Sequence, residues 1–178
     1  MSEFSESYHL RSERQEDAVE LLRRAKLKGY VYQPASGWVT FLAEQGVIEP
    51  DRRIVGVARQ PLLHYVSAED HGWSFALYDG SKIVSGYRCE WDDDIQVDDS
   101  QYLRKALQQL VTSLQPSLLD EFEKQLHPTD FDELFEADPS KVFAQALGLA
   151  HYDWLSYDYV AHNIHDSPKD FPGVVEVT

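Results

Sequence analysis

Cysteine is nearly absent: Cys89 is the only one in 178 residues. An internal disulfide is therefore excluded, and with it a small fold held together by bridges. Its neighbours Tyr87 and Trp91 mark Cys89 as a buried strand thiol, a residue that behaves as a small hydrophobe. No apolar run approaches the ~18–20 residues that a membrane span requires. The stretch MSEFSESYHLRSER has no apolar signal core. These absences predict a reduced, cytoplasmic setting. Also missing are a glycine-rich phosphate loop, a C-x-x-C pair, a G-x-S-x-G elbow and a basic stripe interleaved with aromatics. Direct contact with nucleic acid is therefore not expected, nor is a cofactor.

Positive charge is scarce in one half only. Residues 1–30 carry six Lys/Arg and six Asp/Glu, and residues 31–89 carry five and six. Residues 90–178 carry five and nineteen, so this half holds −14 of the net −15. A field of that sign repels nucleic acid and anionic membrane, and it attracts basic surfaces. The composition is otherwise that of a folded chain, with 43% hydrophobic and 12% aromatic residues. The length suits a single domain.

A helix is predicted from Ser12–Glu13 to about Lys28, with Ala18, Val19, Leu21, Leu22 and Ala25 as its apolar stripe and Gly29 at its end. Strands follow over Tyr30–Tyr32, Gly37–Glu44 and Ile54–Arg59. A meander over Leu62–Ser67, Trp73–Tyr78 and Lys82–Trp91 comes next, and Asp79-Gly80 is its strongest turn signal. From Ser100 the period changes from two to 3.6. Leu103, Leu107, Leu110 and Leu114 share a helical face, and Pro116 breaks the pattern. Further helices are expected around Leu118–Leu126, after a Thr129 cap, from Asp138-Pro139 to Gly148, and over His151–His162. A loose tail is expected over 167–178. The fold class is α+β: a mostly antiparallel sheet over residues ~30–91, an N-terminal helix, and a helical layer over about 100–163 on one face. Gly37-Trp38 and Gly72-Trp73 open two similar hexapeptides, as two strands with aromatic anchors would.

Two clusters are candidate sites. Asp92, Asp93 and Asp94, followed by Asp98 and Asp99, form the densest acid. Their spacing fits no calcium loop, so no metal is assigned; they are read as a solvated strand exit, helix-capping charge and a partner-contact surface. Glu69, Asp70 and His71 place carboxylates beside an imidazole in a turn, the raw material of general acid–base catalysis. His64 alternates with Leu62 and Val66 and should be half-buried on their face. On one helix, His151 and His162 would stand about 16 Å apart, too far to share a zinc ion. Tyr152, Leu155 and Tyr159 are spaced as a buried stripe.

The reading that charge and missing motifs favour is a non-enzymatic, bacterial-type immunity or inhibitor protein that binds a basic partner. A small-ligand protein or enzyme working through Glu69, Asp70 and His71 is the alternative, and a DNA mimic is a further one. Oligomeric state has no signature in the sequence.

Overall fold

The computed structural model describes residues 4–44 and 48–178. Eight strands form one antiparallel sheet: β1 (Phe4–Arg11), β2 (Gly29–Val31), β3 (Trp38–Ala43), β4 (Leu62–Ala68), β5 (Gly72–Asp79), β6 (Lys82–Trp91), β7 (Ile95–Asp98) and β8 (Val175–Val177). Their spatial order is β7-β6-β5-β4-β1-β3-β2-β8. Helices α1 (Gln15–Ala25) and α2 (Arg52–Val57) lie early in the chain, and α3 (Arg104–Leu110), α4 (Pro116–Glu123), α5 (Phe131–Ala137), α6 (Pro139–Ala146) and α7 (Tyr157–Asn163) follow the sheet. The fold is α+β, and the meander β4-β5-β6 stands where its alternation and turns predict.

Side chains alternate across each strand, and the two faces carry separate cores. Trp38, Tyr65, Trp73, Phe75, Tyr87 and Cys89 point to one face, beneath Leu107 of α3, Leu119 and Phe122 of α4, and Phe143 of α6. Leu10, Val39, Phe41 and Leu62 point to the other, beneath Ala18, Leu21 and Leu22 of α1 and Ile54 of α2. Helices therefore cover both faces, not one. The register Leu62↔Tyr78 to Ala68↔Gly72 keeps Trp73, Phe75 and Leu77 on a single face, and Phe41 turns away from Trp38.

The sheet is wider than residues 30–91. β1 lies near its middle, hydrogen-bonded to β3 and β4, although Ser5, Glu6, Ser7 and His9 are polar and buried. Each finds a partner, as buried polar groups must. The His9 ring sits between Ser7 Oγ at 2.9 Å and Thr40 Oγ1 at 3.0 Å. Ser5 Oγ accepts from Leu155 N–H, and Glu6 meets His64. Complete burial holds His9 down to about 3, so it is neutral. Within 167–178, where a loose tail is expected, a 3-10 turn at Pro168–Asp170 is followed by β8, which extends the sheet from β2.

Several local expectations are corrected. The segment from Ile54 forms α2 rather than a strand, because Asp51 caps it by accepting from Arg53 N–H at 2.8 Å. Helix α1 ends at Ala25 on left-handed Lys26. Gly29 instead starts β2, where a Cβ would lie 2.2 Å from Leu42 O. Leu103 precedes α3 and is 52% exposed, while Leu107 is fully buried. Asp130, not Thr129, caps α5; Thr129 instead donates to Glu133. Asp98 ends β7, and its carboxylate accepts from Ser100 rather than capping α3. His151–Ser156 is not helical. Trp154 adopts φ 50°, Ser156 caps α7, and the His151 ring lies tilted against Tyr32 at 4.5 Å, so His151 and His162 share no helix face. Tyr159 is half-exposed, while Leu155 is buried.

Candidate functional site

Strands β6 and β7 form the outermost hairpin of the sheet, with Trp91 paired to Ile95 and Asp92, Asp93 and Asp94 in the turn. All three aspartates are exposed. They rim an open depression of about 470 Å³, together with Glu90, His71 and Trp91. Like charges at this density repel one another unless solvent or a cation separates them.

Trp91 is a wall shared with a second concavity. Its indole N–H donates to Glu69 O at 3.2 Å, and its ring meets Phe135 edge-on at 5.7 Å. Phe135 stacks in turn on Phe131 at 6.0 Å and is 55% exposed. Behind this pair lies a cleft of about 430 Å³ lined by Trp73, Leu134, Phe135, Pro139 and the carboxylates of Asp70 and Asp138, among others. The indole N–H of Trp73 is buried without an acceptor. The neighbouring turns of α5 add exposed Asp132, Glu133 and Glu136. Aromatic surface beside carboxylates suits a cation carried on an apolar or planar stem, as in lysine and arginine.

The predicted site residues divide. Asp92, Asp93 and Asp94 belong to this corner. Asp98 faces a different cleft, and Ser100 holds its carboxyl below the usual range through two hydrogen bonds. Asp99 Oδ2 lies 3.1 Å from His127 Nε2. The Glu69-Asp70-His71 turn divides too. Glu69 and Asp70 line the aromatic cleft, while His71 opens onto the acidic depression. Glu69 and Asp70 on one side and His71 on the other thus line separate concavities. Among the described residues, no group of three or more His, Cys, Asp or Glu converges as a metal ion would need. None of the described helices is long and apolar enough to cross a membrane.

Sequence reasoning missed Phe135 and Trp91 as a pair, because their contact joins a strand end to a helix far along the chain. It also missed Glu6. His64 is 1% exposed, not half-buried, and its Nε2–H donates to Glu6 Oε1 at 3.0 Å. His64 also lines a cleft of about 330 Å³ on the sheet face that α1 and α2 leave open, together with Ser74, Tyr78, Arg88, Asp98 and Gln101. Arg88 is held there between Glu49 and Glu90.

Compared with known protein families, with characterised proteins and with solved structures, the chain matches none.

Proposed function

We propose that this is a partner-binding protein of the immunity or inhibitor kind, and that it docks a basic protein on the corner built from the β6–β7 hairpin and α5. The observation that carries the reading is the half-exposed Phe135 set against Trp91, with concavities on both sides of the tryptophan and carboxylates around both. Aromatic anchors inside a polar rim are the arrangement in which a few residues supply most of an interface's binding energy. The acid outside them does different work. It steers a cationic partner during encounter and rejects anionic competitors. The field behind it is large, because residues 90–178 contribute −14.

Catalysis through the Glu69-Asp70-His71 turn is the second reading, and it ranks below docking because the imidazole and the carboxylates line different concavities. The deciding experiment compares variants in binding. The immobilised protein, the Asp92→Asn/Asp93→Asn/Asp94→Asn variant and Phe135→Ala are each exposed to lysate at low and high salt, and association is then timed with the captured protein. The expected partner is basic and is released as salt rises, because exposed charges are screened over about 8–10 Å near physiological ionic strength. The triple variant should slow association more than it speeds dissociation, and Phe135→Ala should do the reverse. No basic partner at low salt, or one that binds both variants at unchanged rates, would overturn the reading.

A further inference from the structure

Glu6 is a carboxylate on a central strand, 5% exposed. Its Oε1 accepts from His64, but its Oε2 is shielded from solvent and has no hydrogen-bond donor. Leaving one buried carboxylate oxygen unmet costs a desolvation penalty that a single imidazole does not offset. Such an atom marks the place of a missing donor.

Glu6 also lines a pocket of about 110 Å³ that shares no lining residue with the docking corner. The pocket exists because β3 ends at Ala43 and the chain near Leu155 takes its place beside β1. There Glu6 N–H donates to Leu155 O at 2.9 Å, and Leu155 N–H donates to Ser5 Oγ at 3.0 Å. This brings Tyr157 and the exposed Asp158 to the pocket that Phe4 and Tyr8 also line. The Tyr8 ring is fixed by stacking on Phe41, and its hydroxyl accepts from Asp51 N–H at 2.9 Å. Tyr157 lies 5.3 Å from Tyr30. Burial raises the Tyr157 phenol, and Tyr30 and the carboxylates of Glu44, Glu176 and Asp158 raise it further. Three aromatic rings, the Glu6 carboxylate with its unmet oxygen and a second carboxylate at the rim describe a receptor for positive charge. The unmet oxygen asks for more than charge, since it needs an N–H.

We infer that this pocket binds a primary alkylammonium group, with a small rotation of the Glu6 side chain turning Oε2 to accept its N–H, Asp158 at the rim and the alkyl stem between Phe4, Tyr8 and Tyr157. A primary ammonium has three donors, and its methylene stem packs on aromatic faces. A quaternary ammonium carries the charge without a donor, and an alcohol of the same length carries the stem without the charge. The same group is available from a free small amine or from a lysine side chain.

The test is a titration followed through the backbone amide resonances of Glu6, Tyr8 and Tyr157, with n-butylammonium, tetramethylammonium, n-butanol and N-acetyl-lysine amide as probes. The inference expects saturable shifts from n-butylammonium with a Kd on the order of millimolar, and much weaker effects from tetramethylammonium and n-butanol. Glu6→Gln keeps the shape and the acceptor for His64 but removes the charge, and it should weaken n-butylammonium about tenfold, or about 1.4 kcal/mol. Asp158→Asn alters an exposed carboxylate and should weaken it about two- to fivefold. Equal binding of N-acetyl-lysine amide assigns the site to lysine side chains; binding of n-butylammonium alone assigns it to a free amine. Shifts that do not saturate, equal shifts from tetramethylammonium or n-butanol, or wild-type affinity in a folded Glu6→Gln protein would overturn the inference. If Glu6→Gln does not fold, Asp158→Asn and the tetramethylammonium comparison decide it.

Discussion

Beneath α3, α4 and α6 the sheet meets its cover through rings, and beneath α1 and α2 it meets it through branched aliphatic side chains. On the first face Phe143 stacks on Phe75 at 4.0 Å, while Trp73 and Tyr87 meet Phe122 edge-on at 5.7 and 5.8 Å. On the second, Leu21 and Leu22 of α1 and Ile54 of α2 lie over Leu10, Val39 and Leu62, and among the described residues rings meet there where Tyr8 stacks on Phe41 and tilts against His64. The cover on the second face also stops short. Beyond β4 its residues turn polar and line the cleft that holds His64 and Arg88. One face is covered by helices across β4, β5 and β6, whereas on the other the helical cover ends near β4 and Ile48, Glu49 and Pro50 line the cleft beyond it. The chain thus separates an aromatic anchor on one face from an aliphatic core and a polar cleft on the other.

The largest expected effect tests that separation directly. Phe143→Ala removes a fully buried ring from the stack and should cost about 3–5 kcal/mol in denaturant unfolding, with Leu107→Ala at about 2–5 kcal/mol. Leu22→Ala on the opposite face should fall at or below the cost of Phe143→Ala. A Leu22→Ala loss clearly above it would place the anchor beneath α1 instead.

The next effect is one of pH and belongs to β1. Folding holds His9 at about 3 from an ordinary value of 6.5 through burial, with His151 and His64 adding to the shift. Between these values the unfolded chain takes up a proton that the folded chain refuses. The full contribution of neutral His9 is therefore present above pH 6.5, and stability falls as pH drops from 6.5 toward 3. The slope is about 1.4 kcal/mol per pH unit for one such group. His151, lowered by burial, adds to it in the same direction. Urea midpoints at pH 7 and pH 5 measure the loss, and His9→Gln should flatten the dependence. A slope unchanged by that substitution would move the acid sensitivity away from the central strand.

The smallest effect concerns the corner. Asp92→Asn/Asp93→Asn/Asp94→Asn should change stability by no more than about 0.5 kcal/mol, because these side chains are exposed and like-charged. A loss well above this would give the hairpin turn a structural role that its exposure does not suggest.

What was legible in the sequence follows from how local each signal is. Strands β4, β5 and β6 announce themselves by alternation and by Asp79-Gly80, a turn whose Gly80 adopts φ 62°. β1 does not, because the partners that make its polar residues tolerable, Thr40 and His64, arrive much later in the chain. β7 and β8 are short and largely polar, and only the neighbouring strand turns them into sheet. Ile54 and Val55 have the branching of a strand, yet a single aspartate cap decides for helix. At the corner, the exposure of Asp92, Asp93 and Asp94 was legible in their composition. The Trp91–Phe135 contact was not, since neither residue carries a periodic signal for the other. Glu6 was hidden by its neighbours, which read as a polar terminus.

Cys89 offers a practical use of this architecture. It is the chain's one thiol, fully buried at the floor of the aromatic cluster, and burial pushes its pKa up. Only the thiolate reacts with disulfide reagents, so the intact protein should be silent to them. Each modification then records a moment when the helices have lifted from the sheet, and the labelling rate becomes a clock for how often that face breathes.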